Sequence, residues 1–257
     1  RGSVATGFLA PQVFDEDLHI TQVNGEGQII RNDQDLKEES SITYTLGMEW
    51  RPVLGRGNGL LEINAFDTEI KDLFLVVETD APSTEEYEFT RINHGGSSIY
   101  GMELNFGYGI AEFFQIEAGV VEQRARFDDP DPDFNSKDYF STPDRYGSVS
   151  FVYFNRTVGD FFIASRFESG SKLPHYAGYI AEDRLENTPA WGIIDLSYSR
   201  DFTINSSEHC KWNLSTGIRN LTNRYQDDLD RTINRDSGYL WGPRTPRTFF
   251  LSLGLSF

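Results

Sequence analysis

Apolar and polar residues alternate one by one along most of the chain. Ile42, Tyr44, Leu46, Met48 and Trp50 are interleaved with Ser41, Thr43, Thr45, Gly47 and Glu49. The same two-residue period runs through Tyr100–Tyr108, Phe114–Val120, Val149–Tyr153, Ile194–Tyr198 and Trp212–Ile218. Successive side chains of a strand point to opposite faces, so each segment carries one apolar and one polar face. No stretch sustains a helical period, and the chain is read as all-β. Ten strands are predicted, over roughly 1–8, 38–50, 60–78, 87–107, 112–126, 143–154, 160–170, 190–201, 211–221 and 247–257. In the third the alternation loses phase near Asp67–Asp72, which predicts a bulge. Gly95-Gly96 predicts a kink in the fourth.

The connections sharpen this reading. Every second one, over 51–59, 108–111, 155–159 and 202–210, is nine residues or fewer. Of the other five, over 9–37, 79–86, 127–142, 171–189 and 222–246, four are 16 residues or longer and only 79–86 is short. In an up-and-down antiparallel sheet alternate connections lie at opposite ends. One end therefore turns tightly and the other carries long polar loops, as in outer-membrane barrels. Aromatic residues also crowd the strand ends, among them Trp50, Tyr108, Tyr153, Tyr198 and Trp212. Rings that are apolar in body and polar at the tip settle at a membrane interface. A soluble β-sandwich alternates too, and it stands as the plainer alternative.

Composition narrows the function. The net charge is −17, with 23 Lys and Arg against 40 Asp and Glu. No nucleic-acid partner is expected, because phosphate contacts need clustered cations. A single cysteine, Cys210, rules out an intramolecular disulfide framework and a Cys-rich zinc module. The aromatic share of 14% marks an ordered chain. No apolar run is long enough for a membrane-spanning helix, a test blind to barrels.

Two ends and a middle segment carry a family likeness. Asn220-Leu221-Thr222-Asn223-Arg224-Tyr225, then Gly242-Pro243-Arg244-Thr245-Pro246-Arg247 and the terminal Phe257, resemble the last strands of TonB-dependent outer-membrane receptors. Thr6-Gly7-Phe8-Leu9-Ala10-Pro11 is similar to a box of that family, with Leu9 where an arginine is usual. Asp35-Leu36-Lys37-Glu38 resembles the family's lead-in to the next strand, and Asn93 to Tyr100-Gly101-Met102-Glu103 a strand pattern of the family. The resemblance implies a transmembrane antiparallel up-and-down barrel of about 22 strands closed by a plug domain. Residues 1–257 are then expected to be the C-terminal portion of that barrel, with the plug and the first strands outside this chain. Phe257 would serve as the barrel-assembly signal.

The function implied is uptake of a scarce nutrient across the outer membrane of a Gram-negative cell, driven by the TonB complex through the plug. A metal chelate (siderophore, haem or cobalamin) fits best. The expected partners are TonB, the remainder of the same receptor and outer-membrane lipid; whether a surface lipoprotein covers the loops stays open. No cofactor of its own, no resident metal and no catalytic residue are expected. His19 lies in the loop interval where haem receptors of this kind carry a haem-ligating histidine. His175 and Tyr176 could supply a second ligand contact, and Tyr239 and Trp241 could stack on a flat ligand. Each also reads as an ordinary loop or interface residue. Asp128-Asp129-Pro130-Asp131-Pro132-Asp133 could offer oxygens to calcium, although its prolines and the lack of a Gly-centred loop favour a solvated acidic tip. Two alternatives differ in class. A complete ten-strand outer-membrane protease would need an Asp/His arrangement at the rim, drawn from His94, His175 and loop carboxylates. A soluble glycan-binding sandwich would need a second sheet over the apolar face.

Overall fold

The computed structural model describes residues 1–11, 28–78, 87–110, 113–203 and 211–256. His19, Cys210 and Phe257 lie outside the described residues. The strands are β1 (Gly2–Leu9), β2 (Gln28–Asn32), β3 (Glu39–Trp50), β4 (Val53–Leu54) and β5 (Gly57–Lys71). They continue with β6 (Phe74–Glu78), β7 (Tyr87–Asn93), β8 (Gly96–Ile110), β9 (Phe114–Phe127) and β10 (Arg145–Tyr153). The last are β11 (Asp160–Glu168), β12 (Lys172–His175), β13 (Arg184–Asn187), β14 (Trp191–Phe202), β15 (Lys211–Arg219) and β16 (Thr248–Ser256).

One sheet carries the order β1-β3-β5-β8-β9-β10-β11-β14-β15-β16, with β4 folded onto β5. These ten strands match the ten expected ones, and all their pairings are antiparallel. The ends of the order, β1 and β16, each pair on one side only, so the described sheet does not close on itself. That overturns the complete ten-strand barrel.

Register sorts the side chains into two faces. At one height Tyr108, Ile116, Phe151, Ile163, Leu196, Ile218 and Phe249 follow one another across neighbouring strands. On the other face Glu49, Glu62, Asn105, Gly119, Ser148 and Arg166 do the same. The apolar face is uncovered: Leu46 is 70% and Leu251 75% exposed. Among the described residues the buried hydrophobics are Ala125, Leu173, Ile193 and Tyr239. A soluble sandwich would hide one whole face of each sheet. Here no second sheet lies over the apolar face among the described residues, and the sandwich fails on that ground.

The tight-turn end carries an aromatic belt. Ring centroids lie 5.8 Å apart for Tyr108 and Phe114, 6.0 Å for Phe114 and Phe151, and 5.0 Å for Phe161 and Tyr198. Two hydroxyls reach down to turn carbonyls: Tyr108 donates to Leu54 O at 3.1 Å and Tyr198 to Val158 O at 2.6 Å. Apolar ring body and bonded polar tip are what an interface favours. From Tyr108 to Tyr100 one face of β8 steps through Phe106, Leu104 and Met102. At about 3.3 Å per residue and a tilt of about 40°, that run rises roughly 20 Å, close to a barrel's apolar band.

The long-loop end departs from expectation in three places. The predicted third and fourth strands do not run unbroken into a short loop. They leave the sheet together, at Asp72 (φ 56°) and Gly95 (φ 52°), where Asp72 N–H donates to Gly95 O at 3.0 Å. Register from Asn58 to Lys71 is unbroken, so the expected bulge is replaced by a left-handed residue just beyond the strand. Beyond that exit β6 and β7 form a hairpin, and β2 pairs parallel with β7. The connection from β5 to β8 thus spans 72–95 and is a long one like its neighbours. β2, β12 and β13 fall in segments read as loop.

Replacing Leu104 by Arg on the apolar face is expected to cost the protein about 2–4 kcal/mol in lipid vesicles. Asn105→Ser on the opposite face is expected to stay within about 0.5 kcal/mol. Urea unfolding in vesicles measures both; equal losses would contradict the assignment of faces.

Candidate ligand-capturing loops

The connections 128–144, 169–190 and 220–247 emerge from neighbouring strands at the same end and are tied to one another. β12 and β13 stiffen the middle one, placing His175 opposite Arg184. His175 is 3% exposed, and its Nε2 lies 3.1 Å from each carboxylate oxygen of Asp230 on the last connection. Its Nδ1 faces Glu186 Oε1 at 3.5 Å. The imidazole lies flat on Tyr239, with ring centroids 3.8 Å apart and planes 4° from parallel.

Around this stack the last connection is held by its own polar groups. Asp228 accepts from the Tyr239 hydroxyl at 2.9 Å and from Trp241 Nε1 at 3.1 Å. Gln226 donates to Tyr239 O at 3.2 Å and accepts from Trp241 N–H at 2.9 Å. Asp236 accepts from Tyr176 N–H at 3.0 Å, and its own N–H donates to Asp230 at 2.9 Å. Four of the residues singled out from sequence (His175, Tyr176, Tyr239 and Trp241) therefore converge on one assembly. Sequence reasoning missed Glu186, Gln226, Asp228, Asp230 and Asp236. Of these only Asp228 and Asp230 carried a signal, the acidic density of Asp227-Asp228-Leu229-Asp230.

Geometry decides what the assembly can do. An Asp/His pair does stand at the rim, as the protease alternative required. Both side chains are almost fully enclosed, 4% and 2% exposed, so a peptide has no room to approach them in this arrangement. Paired and stacked, His175 fastens one connection to the next. Burial first, and then the carboxylates of Asp133, Asp131, Asp236 and Asp183, push the Tyr176 hydroxyl up to about 12. Burial and the bonded Asp228 push the Tyr239 hydroxyl up as well. The acidic run of the first connection is used locally, with Asp131 accepting from the N–H groups of Asp133 at 3.1 Å and Phe134 at 3.0 Å. Among the described residues no group of three or more His, Cys, Asp or Glu is placed to hold a metal ion. Phe134 joins Tyr176 at 5.8 Å, and Phe127 stacks on Tyr139 at 4.4 Å, so aromatic contacts bind the first connection to the second and to the wall.

Asn220 is the hinge at the base of the last connection. It is buried with φ 52°, and its N–H donates to Asp195 at 2.7 Å. Its Nδ2 donates to Arg224 O at 2.7 Å and Thr245 O at 2.8 Å, while Oδ1 accepts from Arg224 N–H at 3.0 Å and the Thr222 hydroxyl at 3.1 Å. Asn tolerates the left-handed region and supplies both donor and acceptor, which few other residues do.

Two outcomes follow for the folded protein. Asn220→Ala, which loses the four side-chain bonds and strains the backbone, is expected to cost about 2–4 kcal/mol, and Asn220→Gly less because only the bonds go. Thermal unfolding read by protease resistance of the last connection checks the order. A neutral Tyr176 hydroxyl is favoured by the fold, so its contribution is complete below the ordinary value of 10.0 and is lost as pH rises towards about 12. Protease resistance of these loops should fall across that interval, and Tyr176→Phe should flatten the dependence; an unchanged profile would contradict it.

Comparison with known proteins agrees with this architecture. The profile of the family described as TonB dependent receptor-like, beta-barrel, matches residues 1–221. A sequence search of curated proteins found no match. Among solved structures, the ferric-catecholate import receptor Fiu from E. coli K12 aligns with a TM-score of 0.59 at 18% identity, over 99% of this chain and 33% of that one. The FrpB iron transporter from Neisseria meningitidis (F5-1 variant) aligns at 0.62 and 17%, over 99% and 36%. FpvA from P. aeruginosa, bound to a heterologous pyoverdine and iron, aligns at 0.63 and 15%, over 99% and 30%. At these identities the likeness is one of fold, and this chain spans about a third of each of those structures. An antiparallel sheet apolar on one face and polar on the other, long loops at one end and a family profile over residues 1–221 lead to one assignment: the chain belongs to the TonB-dependent receptor β-barrel family.

Proposed function

We propose that residues 1–257 form the C-terminal portion of a plugged receptor barrel in the outer membrane of a Gram-negative cell, and that the whole receptor imports a scarce metal chelate. The observation that carries the reading is the open sheet. Its apolar face is bare, its opposite face is polar, and both edge strands have a free side. Further strands of the same barrel would satisfy both edges, and lipid would cover the apolar face. In this reading the tied loops form part of the outer vestibule that captures the ligand. His19 is carried as a candidate contact, with Tyr176 and Trp241 on the rim of the loop assembly and His175 and Tyr239 as its support. A plug supplied by the rest of the receptor would rearrange when TonB pulls on it, with the inner-membrane proton gradient as the source of work. The structural neighbours include a ferric-catecholate import receptor, an iron transporter and a protein bound to a pyoverdine and iron, which supports a metal chelate as the cargo.

The full-length receptor, expressed in an outer-membrane strain lacking other iron receptors, tests this with radiolabelled ferric catecholate, ferric hydroxamate and haem. One chelate is expected to bind in energised and de-energised cells alike and to accumulate only in the former. Binding and accumulation both indifferent to a protonophore, or no binding of any chelate, would overturn the proposal.

A further inference from the structure

The imidazole of His175 lies between two carboxylates on opposite sides of its ring. On one side Nε2 is 3.1 Å from each oxygen of Asp230, a carboxylate 2% exposed that also accepts from Asp236 N–H at 2.9 Å. On the other side Nδ1 is buried without a hydrogen bond and faces Glu186 Oε1 at 3.5 Å. Behind Glu186 stands Arg184, bonded to it at 2.5 Å. The face of the ring rests on Tyr239, whose hydroxyl is turned away to Asp228. These are the charged and titratable groups around His175: Glu186 and Arg184 from its own hairpin, and Asp230, Tyr239 and Asp228 from the last connection.

Protonation decides what such a ring can do. A neutral imidazole carries one N–H and one lone pair, so between two carboxylates it turns the lone pair on one of them. Little water is present in an enclosed site to screen that repulsion. A ring protonated on both nitrogens donates to both sides, and its charge also lies over the face of Tyr239. The charged ring therefore ties β12 and β13 to the last connection at three points, and the neutral ring gives up one tie and opposes it.

We propose that His175 is a proton-operated latch of the capturing loops: as an imidazolium it holds the middle and last connections together, and loss of the proton loosens them. The inference rests on the capturing role proposed for these loops. The closed arrangement favours the charged ring, so the stability it contributes is complete at low pH and is lost as pH rises through the range in which histidines discharge, about pH 5–8. Tyr176 follows His175 in the chain, and Trp241 shares Asp228 with Tyr239, so the latch sets the positions of both candidate ligand contacts. The last connection keeps its own bonds through Gln226 and Asp228, and it shifts as a unit.

The test places spin labels at Tyr179→Cys and Ile233→Cys in the full-length receptor, with Cys210→Ser and no other cysteine, and measures their separation by electron spin resonance. The two positions are 50% and 75% exposed, lie on the middle and last connections and take no part in the latch. At pH 5 one narrow separation is expected. At pH 8.5 a second, longer one should appear, with the ratio of closed to open forms lowered about tenfold, within the usual range of such couplings. Glu186→Gln lets a neutral ring accept from the new amide while it donates to Asp230, so this variant should stay closed at both pH values. His175→Gln carries no charge and should show the longer separation at both; should it fail to fold, Glu186→Gln decides alone. A wild-type separation that ignores pH overturns the proposal. So does a Glu186→Gln response as large as the wild-type one, which marks another titrating group. No cargo enters the measurement, so its failure is distinct from a failure of the chelate-uptake reading.

Discussion

Every backbone N–H and C=O within a sheet needs a partner, and in hydrocarbon water cannot provide one. Long antiparallel ladders meet that need strand by strand, and here they run in one unbroken order from β1 to β16. The same ladder fixes the alternation that gives the wall its two chemistries. Because the apolar face is left bare, the sheet has no core of the usual kind among the described residues. The buried residues named among the described ones are mostly polar: Ser97, Asp131, Ser136, His175, Asn220, Gln226 and Asp236, against four hydrophobics.

That inversion explains how the long-loop end is built. With no apolar core to dock on, three connections are fastened by hydrogen bonds, carboxylates and stacked rings. His175 and Tyr239 form the central contact, with Asp230 and Asp228 beneath and beside them. Asn220 sets the direction in which the last connection leaves the wall. Enclosed polar groups are costly when unpaired, so such an assembly holds one arrangement or comes apart as a unit. In the capturing role proposed for these loops, less ordering would remain to be done when a ligand arrives.

Much of this was legible residue by residue. The alternation of Ile42 to Trp50 and of Tyr100 to Tyr108 is a local consequence of the pleat, and both segments are strands with the faces expected. The exit from the sheet was half-legible. Gly95 announced a break, but its partner Asp72 is a non-glycine residue in a left-handed conformation, and only the bond between their backbones makes the two exits one event. The connection over 79–86 does lie between two strands as read, β6 and β7, but these belong to a separate sheet, so the connection between the wall strands β5 and β8 is the longer 72–95. β12 and β13, four residues each, are too short for a period of two to stand out.

The sequence by itself determined the all-β class, the number of wall strands, their faces and the end that bears the loops, since pleat and turn length act over a few neighbouring residues. It also marked His175, Tyr176, Tyr239 and Trp241 as chemistry-bearing. Only the tertiary structure decided that the first pair and the second, about sixty residues apart in the chain, meet in one assembly. It alone showed which carboxylates hold them: Asp228, Asp230 and Glu186 look in sequence like any acidic loop residue, and only loop packing gives them partners.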